Sequence, residues 1–345
     1  MTKKVLLVKL SSMGDLIHAL PALSDAQKAI QRIQFDWVID EAFSDVATWH
    51  DSVHRIIKTA HRRWRKNLLQ TLASGELKQL YRDLRHDHYD LVLDAQSNFK
   101  SALLTRLARG TRAGLDKASA AESIAALAYQ RHFNVDKNQH AIARLRELFA
   151  KALNYELPQT PPDFGINLQK LSPSPISLPK SYFIFIHNAS WETKWWPETY
   201  WKTLIKRAKQ SDISVILPWG NMIEKARAER LAEKEDNVVV LPRLTLSQAA
   251  TVIAGAKAAV CVDTGLGHLT AALNIPSISL YGPTDPGLIG ATGAKQLHLH
   301  ADFACAPCYQ KKCTYTKPSS EHPACFTRLP PELVWDKLMS IILLS

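Results

Sequence analysis

The sequence predicts an α/β protein made of two Rossmann-like parallel-sheet domains facing a cleft, and three observations carry that expectation. Short apolar runs without periodicity recur along the chain, each followed by a small-residue turn and an amphipathic stretch. That alternation is the pattern of strands buried on both faces and joined by crossover helices. A proline- and serine-rich stretch, LPQTPPDFGINLQKLSPSPISLPK from Leu157 to Lys180, interrupts it near the middle and reads as a semi-rigid linker. A strand–turn–helix unit with a glycine in the turn and an acid beside it occurs on both sides of that stretch. The expected division is a first domain over 1–160, a linker over 161–180, a second domain over 181–328 and a terminal helix over 329–345.

In the first domain a buried strand runs from Lys4 to Leu10. The turn Ser11-Ser12-Met13-Gly14 follows, and a helix opens at Asp15 with Leu16, Ile17, Leu20 and Leu23 on its apolar side. Phe35 to Ile39, Asp51 to Thr59 and Tyr89 to Asp94 read as further strands, and Ala95-Gln96-Ser97 leads into a helix from Phe99 to Leu107. In the second domain, strands at Tyr182 to His187, Ile213 to Leu217 and Val238 to Leu241 precede the fullest unit. This is AAVCVDTGLGHLTAALNIPSISLYGPTDPG, from Ala258 to Gly287. Its first strand ends at Val262, Asp263-Thr264-Gly265 turns the chain, and a helix from Gly267 to Leu273 stops at Asn274 and Pro276. Such a turn leaves backbone N–H groups unpaired where the helix dipole is positive, which favours phosphate. The same residues also suit an ordinary turn with Asp263 as a cap. Because a carboxylate repels phosphate, a ligand role for Asp263 points to sugar hydroxyls. Pro331 to Leu344 closes the chain as an amphipathic helix.

At 345 residues, 46% hydrophobic and 22% charged, the chain is long enough for two cores and reads as a soluble globular protein. No apolar run approaches the roughly 20 residues needed to span a bilayer. The apolar start from Val5 is broken by Lys9 too early for a signal peptide, so a cytoplasmic protein is expected. Lys and Arg outnumber Asp and Glu by 43 to 32, a net +11 that leans toward the first half and suggests an anionic partner: nucleic acid, a membrane surface or a phosphorylated lipid.

Several residues are candidates for chemistry. Asp15, at a helix start, suits a general base or a helix cap. Lys194, after a strand and before the helix begun by Pro197, suits neutralisation of a departing phosphate or plain solvation. Glu224, following Leu217-Pro218-Trp219-Gly220, suits ribose hydroxyls or an exposed helix surface. The run His61-Arg62-Arg63-Trp64-Arg65-Lys66 is the densest basic stretch, a phosphate-binding surface or a solvated face. Cys305, Cys308, Cys313 and Cys325 begin with C-x-x-C and are a candidate zinc set, although Pro307 and Pro323 suggest an irregular loop. Cys261, inside a strand, reads as packing.

The motifs KLSSMGDLIHALPAL, RRWRK, YDLVLDAQ, LPWG, VDTGLGHLTAAL and YGPTDPG, in this order over nearly the whole chain, resemble the bacterial lipopolysaccharide heptosyltransferases. The likeness is strongest to the branch that adds the first heptose. It implies a GT-B glycosyltransferase whose first domain takes Kdo-lipid A and whose second takes ADP-L-glycero-D-manno-heptose. The family's terminal helix crosses back to the first domain. The resemblance assigns Asp15 as the base, Lys194 as a phosphate contact, Glu224 as the ribose acid and Leu244 as an adenine contact. It places Asp263, Thr264, Gly265, Leu266 and His268 in the donor motif, and Ser12, Gly14, Arg62, Arg63, Arg65 and Lys66 on the acceptor side. The sequence offers no D-x-D pair, so no divalent metal or other cofactor is expected. The implied setting is a monomer at the cytoplasmic face of the inner membrane, on an anionic surface and without nucleic acid. A transferase acting on an already heptosylated core is the alternative enzyme. A basic nucleic-acid-binding or carbohydrate-binding protein is the alternative outside enzymes.

Overall fold

The computed structural model describes residues 2–343; Leu344, assigned above to the last helix, lies outside them. Two compact units divide between Lys170 and Leu171, within the proline- and serine-rich stretch. Each is built on a six-stranded parallel sheet.

In the first unit the strands are β1 (Lys3–Val8), β2 (Ile33–Asp40), β3 (Val53–Thr59), β4 (Tyr89–Asp94), β5 (Gly110–Leu115) and β6 (Arg131–Phe133). Their order is β3-β2-β1-β4-β5-β6, with Val8 opposite both Val38 and Asp94. The chain therefore winds outward in one direction from β1 and in the other from β4. The carboxyl ends of β1 and β4 flank the point of reversal, where ligands bind in open α/β sheets. Alternate residues of the strands feed two layers. Leu6, Val8, Val38 and Val92 pack with Trp64, Leu80, Leu84 and Leu104 of the helices His61–Lys66, Glu76–Arg85 and Phe99–Leu107. On the other side Phe35 meets Phe149 of the helix Ala141–Leu153 at 6.0 Å between ring centres. A buried pair holds the chain after that helix: Arg146 donates to both carboxylate oxygens of Asp25, at 2.6 and 3.2 Å, and to the carbonyls of Pro158 and Thr160.

In the second unit the strands are β7 (Tyr182–Ile186), β8 (Ser214–Leu217), β9 (Val238–Val240), β10 (Ala258–Val262), β11 (Ser277–Tyr281) and β12 (Gln296–His300). The order β12-β11-β10-β7-β8-β9 repeats the reversal, here between β10 and β7. Phe183, Phe185, Val260 and Ile278 form its core with Trp196, Trp201 and Phe326. The terminal helix, Pro331–Leu343, buries Val334, Trp335 and Leu338 in the core of the second unit. Its neighbours are the helix Glu198–Gln210 and strands β10 and β11, and Trp335 meets Phe183 edge-on at 6.2 Å. Among the described residues no helix is long and apolar enough to cross a membrane.

Candidate functional site

In the first unit, the chain leaving β1 turns at Ser11 and Ser12 and enters a short helix, Met13–Ile17. The helix begins two residues earlier than the sequence suggests, because Ser12 takes the capping position and Asp15 sits three residues on. The Asp15 carboxylate accepts hydrogen bonds from the Ser12 N–H at 2.8 Å and its hydroxyl at 2.7 Å. It is thus oriented by neutral donors while staying exposed. Gly14 is buried under the same turn. The turn after β4 supports it from across the reversal point: Gln96 Oε1 accepts from the N–H groups of Leu10 at 3.1 Å and Ser11 at 3.3 Å. Asp94, fully buried, holds Gln96 in place by accepting the Gln96 and Ser97 N–H groups, each at 2.8 Å, and the Tyr129 hydroxyl at 2.7 Å. Burial pushes the Asp94 carboxyl above its usual range, and these donors pull it partly back.

Asp15 opens into a cavity of about 450 Å³ lined also by Lys9, His18, Gln96, Lys137 and Arg144. Lys9 is buried, with Nζ donating to the Ala95 carbonyl at 3.1 Å. Burial lowers its proton affinity, and the nearby carboxylates of Asp15 and Asp94 oppose that. One exposed carboxylate among several cations suits an anionic substrate bearing a hydroxyl to be deprotonated. Sequence reading missed Lys9, Gln96, Lys137 and Arg144. Lys9 left a signal as a charge breaking an apolar strand, and Gln96 as the last residue of YDLVLDAQ.

The basic run forms the helix His61–Lys66. Its residues divide. Trp64 is buried, and Arg63 is clamped between Glu41 and Glu76 at 2.9–3.0 Å, so its charge is already compensated. Arg62 lies over the Phe43 ring at 5.2 Å, and Arg65 and Lys66 are exposed.

In the second unit, Lys194 follows β7 in a single helical turn, Glu192–Lys194, and Asp263 follows β10. The fold brings them together at the reversal point, with Nζ 2.7 Å from Asp263 Oδ2. Asp263 is only 5% exposed; it also accepts the Thr284 hydroxyl at 2.7 Å, and His268 Nε2 lies 3.8 Å away. Lys194 sits 4.7 Å above the Trp191 ring. Asp263 therefore stands behind the lysine and fixes its ammonium rather than offering itself to sugar hydroxyls. The helix Gly265–Ala272 begins beside this pair with Thr264 as its extended first cap residue. Thr264, Gly265 and Leu266 are partly open, while His268 is buried. Gly267 lets the helix lie close on β10: a Cβ there would lie 3.3 Å from Cys261 Cβ and 3.4 Å from the Val262 carbonyl oxygen.

Glu224 lies in the first turn of the helix Met222–Ala232, whose cap Asn221 accepts the Ile223 and Glu224 N–H groups. Its Oε2 accepts the Gly220 N–H at 2.7 Å. Leu244, half-buried, follows β9, next to the strand β8 that leads to Gly220. All donor-side candidates thus stand beyond the carboxyl ends of one sheet.

The four tail cysteines remain free thiols, and among the described residues no group of three or more His, Cys, Asp or Glu side chains is arranged to hold a metal. Cys305 is exposed, Cys308 and Cys313 are half-buried, and burial raises the Cys325 thiol to about 12. Cys261 is buried in β10, its thiol likewise raised to about 12.

A carboxylate aimed into a cationic cavity and a carboxylate-backed lysine beside a glycine-started helix have counterparts in known proteins. A model of glycosyltransferase family 9 (heptosyltransferase) matches residues 77–318. The chain is 49% identical to lipopolysaccharide heptosyltransferase 1 of Pseudomonas aeruginosa, over 99% of this chain and 98% of that protein. The structure of E. coli heptosyltransferase WaaC with ADP matches with a TM-score of 0.87 at 43% identity, covering 98% of this chain and 99% of that one. WaaC with ADP-2-deoxy-2-fluoro heptose matches at 0.83 and 42% identity, with the same coverage. The chain is a glycosyltransferase and belongs to glycosyltransferase family 9, the heptosyltransferases.

Proposed function

We propose that this protein transfers L-glycero-D-manno-heptose from ADP-heptose to the Kdo of Kdo-lipid A, with inversion at the anomeric carbon. The observation that carries the reading is the Lys194–Asp263 pair beside the Gly265 helix start, an arrangement a mere carbohydrate-binding module has no use for. The near-full-length likeness to enzymes named heptosyltransferase 1 supports the first heptose over the second.

In this reading Asp15 takes the proton of the acceptor hydroxyl as its oxygen bonds to the anomeric carbon. The bond from that carbon to the β-phosphate oxygen breaks, and ADP leaves with the electron pair. Charge that builds on the diphosphate falls to Lys194 and the N–H groups after Thr264. Ser12 holds the Asp15 carboxylate in position, and Lys137 and Arg144 face the anionic acceptor, with Arg62, Arg65 and Lys66 as a second cationic group. Glu224 takes the ribose and Leu244 the adenine. The absence of a D-x-D pair supports a reaction that needs no divalent metal. The net charge of +11 supports work on an anionic surface. In this reading that surface is the cytoplasmic face of the inner membrane, where the protein acts as a monomer without nucleic acid.

The test offers the purified protein ADP-heptose with either Kdo-lipid A or a core already carrying one heptose, and reads the product by mass spectrometry. One heptose gained on Kdo-lipid A alone is the expected result. Gain only on the heptosylated core assigns the second transferase, and gain on neither removes the reading. ADP should also raise the melting temperature more than UDP or GDP.

A further inference from the structure

The outer side of the first unit carries apolar residues at one-turn spacing on a row of neighbouring segments. Leu69 and Leu72 stand out from the helix Leu68–Ala73, Leu77 and Tyr81 from Glu76–Arg85, and Phe99 and Leu103 from Phe99–Leu107. In the helix Glu76–Arg85 the alternate stripe, Leu80 and Leu84, is buried, so the exposed pair belongs to a second, outward stripe. A fourth pair, Ile124 and Leu127, stands out from the short 3-10 segment Ser123–Ala128, whose Ala125 and Ala126 are buried. Each segment packs beside the next in chain order. Exposure reaches 84% at Leu69 and 69% at Leu127. Four consecutive segments with the same outward pairing make a contiguous apolar face rather than scattered surface leucines.

The charges on and beside these segments are mostly of one sign. Arg65, Lys66, Lys78, Lys100 and Arg106 are exposed. The acids Glu76 and Asp83 are engaged by Arg63 and Arg55. Phe99 follows Ser97 closely, and Ser97 and Ala121 both line the cavity that holds Asp15, so the face begins beside that cavity.

We propose that this face docks the protein on an anionic lipid bilayer, with the apolar pairs entering the interfacial region and the cations meeting lipid phosphates. The occupant follows from the charge. A second copy would set one cation-rimmed face against another, whereas an anionic bilayer complements an apolar patch rimmed by cations. The proposal rests on the lipid-linked acceptor named above, because it would place the Asp15 cavity within reach of a sugar at the membrane surface.

The test is co-sedimentation with vesicles of phosphatidylethanolamine and phosphatidylglycerol, against vesicles of phosphatidylcholine alone. The wild type should bind the anionic vesicles, and added salt should weaken binding. Leu69→Gln, Leu72→Gln and Leu127→Gln combined should leave the melting temperature unchanged and lower the bound fraction at least about tenfold. The same variant should keep its rate on a water-soluble, deacylated Kdo acceptor and lose rate on Kdo-lipid A set in vesicles. Equal sedimentation of variant and wild type overturns the proposal, as does a wild type that ignores anionic vesicles. A concentration-dependent dimer dissolved by the same substitutions would assign the face to a second copy and overturn it too. Failure of the wild type to glycosylate even the soluble acceptor would instead strike the reaction assignment, independently of vesicle binding.

Discussion

The two units repeat one architecture, and their reversal points are wired in opposite senses. In the first, the carboxylate of Asp15 is exposed and is held by the neutral donors of Ser12. In the second, the carboxylate of Asp263 is buried and is spent on a cation, Lys194. An exposed carboxylate without a cationic clamp can take a proton. A buried one that fixes an ammonium leaves that ammonium to meet an incoming anion. Asp15 follows the first strand of its sheet and Asp263 the fourth strand of its own, so the two carboxylates flank their reversal points on different sides. In the reading proposed above, the first would act as a base and the second as an electrostatic anchor.

The largest expected effect breaks the first half of this contrast. Asp15→Asn keeps an oxygen that can accept from Ser12, so the helix start should stay within a few tenths of a kcal/mol of wild type. It removes the exposed carboxylate proposed to take the hydroxyl proton, and turnover should fall at least roughly 100-fold, with donor binding intact. Single-turnover kinetics beside a melting curve checks both. Near-normal turnover would reduce Asp15 to a capping partner.

The second half of the contrast is tested by separating stability from rate. Lys194→Met leaves the buried Asp263 without its cation and should cost about 3 kcal/mol of stability. Adding Asp263→Asn removes the stranded charge and should restore most of that loss. Turnover should remain down by about 10²-fold in both variants, because the cation proposed to face the diphosphate is gone. Recovery of turnover in the double variant would show that Lys194 matters only to Asp263.

Much of this was legible in the sequence, and the reasons differ from residue to residue. The strands Tyr89–Asp94, Ala258–Val262 and Ser277–Tyr281 and the helix Phe99–Leu107 appear where their apolar runs and turn residues put them. β5, with Gly110, Arg112 and Gly114, and β12, with two histidines among its five residues, lack such runs and were not readable. The positions of Asp15 and Lys194 were readable too, but their partners were not. Whether a charge is free or engaged depends on contacts between distant segments, as with Lys194 and Asp263 or Arg63 with Glu41 and Glu76. The terminal helix shows the same limit. Its amphipathic pattern predicts a buried stripe without saying which core receives it.

A buried histidine in each unit gives a comparison in which the units should agree. His50, held between the Ser24 and Ser52 hydroxyls, is lowered to about 4, chiefly by burial. His187 in the second unit is lowered to about 3, again chiefly by burial. Unfolded, each titrates near 6.5, so below that pH the unfolded chain takes up a proton that the native imidazole refuses. Stability from His50 is therefore present above about pH 6.5 and lost as pH falls toward about 4, by about 3 kcal/mol in all. Melting curves between neutral pH and pH 4.5 should show this decline. His50→Gln should shallow it without abolishing it, because His187 continues to titrate. An unchanged slope would mean that His50 is protonated in the native protein.

The smallest expected effect concerns Glu224, where the second unit places a carboxylate that is neither a base nor an anchor for a cation. Its Oε2 accepts the Gly220 N–H at 2.7 Å and so fixes the turn after β8. Ribose hydroxyls would add hydrogen bonds to the same charged group. Glu224→Gln keeps an oxygen for Gly220, so the turn and the melting temperature should hardly change. It replaces charge-assisted bonds to the ribose with neutral ones, a loss of about 1 kcal/mol. That corresponds to a rise of about fivefold in the Kd for ADP. The loss is one of binding common to ground and transition states, so donor KM should rise while kcat stays near wild type. Calorimetric titration with ADP against 2′,3′-dideoxy-ADP sharpens the point. In the wild type the dideoxy compound should bind more weakly, and in the variant most of that difference should vanish. If both proteins discriminate equally, Glu224 does no more than fasten the Gly220 turn.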